Sequence, residues 1–295
     1  MITILTILLF SFVLNSLLYI PFIHILYKLR FQRQTQTTKD AFEKPTPIFD
    51  KFHQKKVGTP VGGGLLVILT TAILFPIMLL LLKYFFVPIT AVYDLVLEAG
   101  IVMFTFLSFG LLGLYDDMKK TFGWAKDAFF GLRLRHKLII EIILALIIAT
   151  WLYSDLKIEI LHIPLLTILD MGPLYIPFAA FVIIAFSNAF NITDGLDGLA
   201  AGILMISLVA FLIISAAILD TPLSIFIALW LGGLIAFLYF NVYPARIFLG
   251  DVGALAFGAT LAVVGLMLGK TFALVVIGGV FVAEVSSSLI QLLAK

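Results

Sequence analysis

Long apolar runs separated by short polar segments dominate this chain. A helix that crosses a bilayer takes about 20 mostly apolar residues, and nine runs approach or reach that length. They cover residues 2–27, 62–82, 95–114, 138–153, 174–190, 200–219, 222–240, 253–269 and 272–293. The pattern predicts an all-α, multi-pass transmembrane protein with nine spanning helices.

The composition agrees with this prediction and excludes several other classes. Of the 295 residues, 62% are hydrophobic and 12% are charged, which would leave large apolar patches on a water-soluble domain. Cysteine is absent, so the sequence predicts no disulfide and no thiolate-ligated metal site. The formal charge of +2 gives no sign of nucleic-acid binding. No repeat or break in composition is visible, so residues 1–295 are interpreted as a single domain.

The basic residues are unevenly distributed between the two sides of the predicted membrane domain. With nine alternating spans, all but three of the 19 lysines and arginines fall on one side; the exceptions are Lys83, Lys157 and Lys270. The positive-inside rule places the basic side in the cytoplasm and the N-terminus outside. We therefore expect a membrane protein whose basic loops face the cytoplasm. Lysines that bind anionic lipid would also explain the bias.

Five aspartates converge on the predicted cytoplasmic side from three separate segments. Carboxylates at the ends of spanning helices are costly, and they usually mark a functional site. The aspartates are Asp116, Asp117, Asp194, Asp197 and Asp251, and the lysines on the same side include Lys56, Lys120 and Lys137. We interpret this surface as the candidate site; solvated loop aspartates are the simpler alternative.

The first motif is Gly113-Leu-Tyr-Asp-Asp-Met-Lys-Lys120. The adjacent carboxylates of Asp116 and Asp117 repel each other unless a divalent cation, a lysine or a shared proton compensates. Lys120 lies one turn after Asp117 if the helix continues. An Asp-Asp pair that only caps a helix is the alternative.

The second motif, Asn188-Ala-Phe-Asn-Ile-Thr-Asp-Gly-Leu-Asp-Gly-Leu-Ala200, has a glycine after each of Asp194 and Asp197. These glycines allow the backbone to turn sharply and approach a ligand. A simple turn between two helices is the alternative.

The third motif runs from Phe240 to Ala254 and contains Phe248, Gly250 and Asp251. Asp251 is suited to bind Mg²⁺ at a helix start. Phe248 could stack on a nucleobase, or it could simply be a packed phenylalanine.

Three further features have no single assigned role. The glycine-rich segment after Lys56, residues 58–64, could hold phosphate at a helix N-terminus or allow close helix packing. Glu141 lies one turn after Lys137, and we expect the two to form an ion pair. Glu284, inside the last span, needs a buried partner.

These motifs resemble those of the polyprenyl-phosphate N-acetylhexosamine-1-phosphate transferase superfamily, also called glycosyltransferase family 4. Thr193 and Val252 are similar to the phospho-N-acetylmuramoyl-pentapeptide transferase branch. The resemblance implies ten spans, with a histidine-rich loop and the last helix after residue 295. It also implies transfer of phospho-MurNAc-pentapeptide from UDP-MurNAc-pentapeptide to undecaprenyl phosphate, giving lipid I and UMP for peptidoglycan synthesis. Mg²⁺ is the implied cofactor, and a homodimer is a family expectation.

The resemblance also implies a role for each matching residue. Asp251 would be the Mg²⁺ ligand, and Asp116 and Asp117 the catalytic acidic pair. Lys120 and Lys137 would hold phosphates, and Asn188 and Asp194 would frame the site. The nucleotide contacts would come from Lys56, Asp197, Asn241 and Phe248.

Three other functions remain open. A sister enzyme would transfer GlcNAc-1-phosphate from UDP-N-acetylglucosamine to a polyprenyl phosphate. A secondary transporter would bind cations through its aspartates, but it would place them near helix centres rather than at helix ends. An inactive relative would keep the fold without the activity.

Overall fold

The computed structural model describes residues 2–32, 57–122, 134–163 and 167–293. Ten α-helices and one small hairpin are present in these ranges. The helices are α1 (Ile2–Lys28), α2 (Gly64–Tyr84), α3 (Leu95–Phe122), α4 (Leu134–Ser154), α5 (Tyr175–Thr193), α6 (Leu199–Ala217), α7 (Thr221–Asn241), α8 (Gly250–Met267), α9 (Thr271–Ile277) and α10 (Gly279–Leu293). The hairpin pairs β1 (Ile160–Ile163) with β2 (Thr167–Asp170) in antiparallel register.

Helices α1 to α8 are each long and apolar enough to cross a membrane, and α9 and α10 together form a ninth, broken candidate span. Their apolar side chains cover most of the helix circumference, as expected where lipid rather than water surrounds the bundle. The predicted all-α, multi-pass membrane fold is therefore confirmed.

Helices α7 and α8 form the centre of the bundle. The apolar window of α8 is 89% buried and that of α7 is 83% buried, whereas that of α1 is only 22% buried. Helix α8 packs against α3 and α5, and α7 packs against α1. The rings of Phe106, Phe226, Trp230 and Phe257 meet in the interior at centroid distances of 5.3 to 6.0 Å. This packing fixes the helix ends that carry the polar motifs.

Glycine allows α3 to lie directly against the start of α8. A Cβ at Gly113 would lie closer than 3.0 Å to the Asp251 carbonyl oxygen, and one at Gly64 would collide similarly with Gly253. Because no larger residue fits, α2 and α3 both approach the backbone of α8 at the end where the aspartates lie. The close helix packing offered as one interpretation of the glycine-rich segment is thus observed.

Three details differ from the sequence-based prediction. Helix α3 does not end near residue 114 but continues to Phe122, because its terminal charged residues find partners on other helices. The ninth span is broken at Gly278 and bent by 71°, and a Cβ at Gly278 would collide with the Phe186 ring. The β1–β2 hairpin between α4 and α5 was not predicted; it is four residues long on each side.

Candidate active site

The polar motifs meet at one end of the bundle because consecutive helices alternate in direction. Asp116, Asp117 and Lys120 lie on the last two turns of α3, and Lys137 lies on the first turn of α4. Asp251 lies in the first turn of α8. The continuation of α3 matters, since it places Asp116 and Lys120 four residues apart on the same helical face.

Two lysines and two aspartates form what we call the lysine–aspartate cluster: Lys120, Lys137, Asp116 and Asp251. The Oδ2 atom of Asp251 lies 2.8 Å from the Nζ atoms of both Lys120 and Lys137. The Oδ2 atom of Asp116 lies 3.1 Å from Lys120 Nζ and 3.3 Å from Lys137 Nζ. Each lysine therefore bridges the two carboxylates, and three of the four ion pairs join different helices.

Asp117 makes a different contact from its neighbour. Its Oδ2 atom accepts a hydrogen bond of 3.0 Å from the backbone N–H of Val252. Gly250 precedes this turn with a φ of +80°, and a Cβ there would collide with Asp117 Oδ2. Asp117 thus holds the N-terminal turn of α8 and, with it, the backbone that carries Asp251. The sequence-based expectation paired Lys120 with Asp117, but the ion pair forms with Asp116 because the Asp117 carboxylate is directed to the Val252 N–H.

The cluster is buried on one side and open on the other. The Lys137 side chain is 9% exposed and that of Asp251 is 15% exposed, whereas that of Lys120 is 39% exposed. Asp116 and Asp117 are both buried. An anion or a metal ion could therefore reach the cluster beside Lys120, while Lys137 and Asp116 form its floor.

The charges of this region suit a divalent cation. When all groups are ionised, the three carboxylates of Asp116, Asp117 and Asp251 face two ammonium groups, which leaves a net negative charge. Within the described parts of the chain, no group of three histidine or carboxylate side chains is arranged to hold a metal. Mg²⁺ does not need such a cage, because it is commonly bound by one or two carboxylates together with substrate phosphates and water.

Asn188 and Glu141 form a second polar contact next to the cluster. The Asn188 Nδ2 atom donates to Glu141 Oε2 at 2.6 Å and to the Ile184 carbonyl at 3.0 Å. The expected Glu141–Lys137 ion pair is wrong, because the Lys137 ammonium is directed to the two aspartates. Glu141 nevertheless interacts electrostatically with Lys137, Asp116 and Asp251.

The remaining predicted residues order the loops at this end of the bundle. Asn241 Oδ1 accepts from the Gly198 N–H at 3.0 Å, and its Nδ2 donates to the Ile247 carbonyl at 2.9 Å. Asp197 Oδ2 accepts from the Ala245 N–H at 3.1 Å. These bonds join the loop after α5 to the loop after α7, so the second and third motifs form one surface.

The structure says less about three other predicted residues. Asp194 follows α5 as its C-terminal cap and lies at the same end of the bundle. Phe248 is half-buried, and its backbone bonds to Gly63 and Pro60. Lys56 lies outside the described residues.

Two backbone amides at the glycine-rich N-terminus of α2 are used within the protein and are not available to a phosphate. The N–H of Gly63 donates to the Phe248 carbonyl at 2.8 Å, and that of Gly64 donates to the Leu249 carbonyl at 3.0 Å. The segment instead joins α2 to the turn before Asp251. Of its two interpretations, close packing is the one that the structure supports.

The sequence reasoning missed several residues that shape the site. It gave no role to the backbone N–H of Val252, and it used Gly113 only as part of a motif. Glu141 and Asn188 were both noted, but the contact between them was not predicted. The close approach at Gly113 depends on tertiary contacts, so the only signal in the sequence was its position three residues before Asp116.

Comparison with known proteins agrees with this geometry. A family model described as glycosyl transferase family 4 matches residues 99–269, which include most of α3, all of α4 to α8 and the whole lysine–aspartate cluster. The chain belongs to glycosyl transferase family 4.

Curated relatives narrow this class. The chain is similar to the phospho-N-acetylmuramoyl-pentapeptide-transferase of Caldanaerobacter subterraneus subsp. tengcongensis, with 37% identity over 82% of this chain and 71% of the relative. It is also similar to the enzymes of that name from Clostridium beijerinckii (35% identity, 96% of this chain, 78% of the relative) and Halalkalibacterium halodurans (34%, 97% and 82%). The resemblance inferred from the motifs is confirmed, and the chain is an enzyme of this transferase family.

Proposed function

We propose that the enzyme transfers phospho-MurNAc-pentapeptide from UDP-MurNAc-pentapeptide to undecaprenyl phosphate, forming lipid I and UMP. The observation that carries this proposal is the lysine–aspartate cluster, with two ammonium groups shared by two carboxylates at the open end of a membrane bundle. The names of the similar curated proteins support the same substrates.

The cluster has the charges that phosphoryl transfer requires. This reaction depends mainly on positioning and on stabilising negative charge that moves between oxygens. Lys120 and Lys137 would turn from their carboxylate partners toward phosphate oxygens, because a phosphate offers them more acceptor atoms and more charge. Mg²⁺ held at Asp251 would supply neutralisation of the pyrophosphate as UMP leaves.

In this proposal, Asp116 and Asp117 hold the other charged groups of the cluster in place. Asp117 fixes the turn that carries Asp251, and Asp116 keeps both lysines in place before substrate arrives. The lipid phosphate is already an anion, so the reaction does not need a strong general base. The loop surface formed by Asp197, Asn241 and Phe248, together with Lys56, would contact the nucleotide, and Asp194 would frame it.

The orientation in the membrane is part of the proposal. Along the chain, the basic segments connect helices at the end of the bundle that carries the cluster, which supports a cytoplasmic active site and an N-terminus outside. A nucleotide sugar made in the cytoplasm would then meet a lipid phosphate from the bilayer at the same cleft.

Separate incubations with two labelled nucleotides test which one is the substrate. Membranes containing the protein are incubated with undecaprenyl phosphate, Mg²⁺ and either UDP-MurNAc-pentapeptide or UDP-N-acetylglucosamine, and the lipid product and UMP are measured. We expect product only from the first nucleotide. Product only from UDP-N-acetylglucosamine would establish the sister reaction, and product from neither would refute the proposed transfer.

A further inference from the structure

Glu141 is a buried carboxylate that none of the roles above uses. It lies in α4 with 0% of its surface exposed. Its Oε2 atom accepts the 2.6 Å hydrogen bond from Asn188, whereas its Oε1 atom is buried without a hydrogen-bond partner among the described residues. A buried acceptor that lacks a partner costs stability, so its presence beside the cluster points to a role in the site.

The contact determines which way the Asn188 amide faces. An asparagine amide has two N–H donors and one acceptor oxygen. Both donors are used, one by Glu141 and one by the Ile184 carbonyl. Because both partners are acceptors, the flipped orientation would set Asn188 Oδ1 against oxygen, so the amide has only one favourable orientation.

The helix that carries Asn188 is also held in place. The hydroxyl of the preceding residue, Ser187, donates to the Leu255 carbonyl of α8 at 3.3 Å. Gly258 allows this approach, since a Cβ there would lie 2.7 Å from the Ser187 Cα. Backbone position and amide orientation are therefore both fixed, and only the carbonyl oxygen of the half-buried Asn188 side chain remains available.

We infer that Glu141 is a positioning residue that orients the Asn188 amide so that its carbonyl oxygen accepts a hydrogen bond from the nucleotide-sugar substrate. The matching group is a donor, either a sugar hydroxyl or an amide N–H. This inference rests on the proposed function, because it assigns the donor to the nucleotide sugar. It adds to that function a requirement for an acceptor at residue 141 rather than for a charge.

Glutamine and leucine at position 141 separate these requirements. Glu141→Gln keeps a carbonyl oxygen that can accept from Asn188, whereas Glu141→Leu keeps much of the volume but removes the acceptor. We expect Glu141→Gln to retain the KM of the wild type for the nucleotide sugar. We expect Glu141→Leu to raise that KM by about 2- to 10-fold, the effect of losing an oriented hydrogen bond between neutral groups. The KM for the lipid phosphate and the kcat should change much less.

A double-mutant cycle with Asn188→Ala tests whether Glu141 acts through Asn188. The two single variants and Glu141→Leu/Asn188→Ala should have similar KM values, because all remove the same oriented acceptor. Glu98→Leu is the matched control, since Glu98 is also a buried glutamate, but it lies at the opposite end of α3. Equilibrium binding of the nucleotide sugar and thermal unfolding are measured in parallel, with Glu141→Met as a second variant if the leucine variant does not fold.

Four results would overturn the inference. These are an unchanged KM in the leucine variant, equal loss in the glutamine and leucine variants, additive losses in the double variant, and a change confined to the Mg²⁺ requirement. Each of them leaves wild-type transfer intact and so leaves the proposed function standing. A wild-type protein that transfers no phosphosugar would instead remove the proposed function itself.

Discussion

Lys137→Met removes the more deeply buried of the two ammonium groups in the lysine–aspartate cluster. Lys137 Nζ lies 2.8 Å from Asp251 and 3.3 Å from Asp116, with 9% of its side chain exposed. Removing one partner of a buried ion pair typically costs about 3–5 kcal/mol, because the remaining charge stays buried without compensation. Here Lys120 still compensates in part, so we expect a loss of unfolding free energy near the lower end, about 3 kcal/mol.

Lys120→Met is the informative comparison. Its side chain is 39% exposed, so solvent screens its ion pairs and its removal should cost roughly 1 kcal/mol of stability. Both lysines, however, would face the phosphates of the bound substrate. Removing a group that stabilises transition-state charge lowers kcat by about 10²–10³-fold. The two variants should therefore show similar losses of kcat, but Lys137→Met should lose more unfolding free energy than Lys120→Met.

The assay combines UMP release at saturating substrates with thermal unfolding in detergent. Lys119→Met is the control, because Lys119 lies on the same helix and forms no ion pair within the described residues. Its kcat and unfolding temperature should match those of the wild type. A Lys120→Met variant with less than about a tenfold loss of kcat would refute the assignment of the cluster to the transition state.

Two further predictions concern packing and the opposite end of the bundle. Gly113→Ala should destabilise the protein by about 1–3 kcal/mol and reduce transfer, because a Cβ there collides with the Asp251 carbonyl. Gly100→Ala in the same helix is the control. A Cβ at Gly100 meets open space, so this variant should be neutral or slightly stabilising in thermal unfolding. Burial raises the pKa of Asp220, which also caps α7 by accepting from the Leu223 N–H. Because the pKa of Asp220 is raised in the folded state, its carboxylate destabilises the fold at neutral pH, and this cost disappears at acid pH, where the group is protonated. Asp220→Asn keeps the cap and removes the charge, so it should raise the unfolding temperature at neutral pH. The gain should shrink at acid pH. Asp220→Ala should lose about 1 kcal/mol of that gain with the cap, and a gain for asparagine that is independent of pH would contradict the reasoning.

Helix periodicity and charge placement predicted much of this molecule. Apolar runs located the spans because lipid requires each one to satisfy its own backbone hydrogen bonds. Alternating spans then brought the segments that contain Asp116, Asp194 and Asp251 to one end. The convergence of the candidate site followed from counting helices, without knowledge of any side-chain contact.

The contacts within the site could not be predicted in the same way. Which aspartate pairs with Lys120 depends on the continuation of α3 to Phe122, and the tertiary partner Asp251 stabilises that extension. Glu141 was expected to pair with its near neighbour Lys137, but Asp251 competes for that lysine from another helix. The spacing of residues along one helix cannot show that a residue of another helix competes for the same partner.

The breaks in regular structure were missed for a similar reason. The apolar run 272–293 contains the pair Gly278-Gly279, which permits a bend, but its hydrophobicity alone predicts one continuous span. The bend at Gly278 brings that glycine against Phe186 of α5. The β1–β2 hairpin is short and mixed in polarity, so its pattern is too weak to separate from a loop.

Lipid I synthesis by Asp251→Asn tests the central claim most directly. Asp251 is the carboxylate that both lysines share, and in this account it also holds Mg²⁺. Purified wild-type and variant enzymes are compared with UDP-MurNAc-pentapeptide, undecaprenyl phosphate and a titration of Mg²⁺, and the labelled lipid product is measured. The account predicts a wild-type activity that requires Mg²⁺ and a variant that folds but forms product at least about 10²-fold more slowly. A folded variant with wild-type rates and the same Mg²⁺ dependence would contradict it.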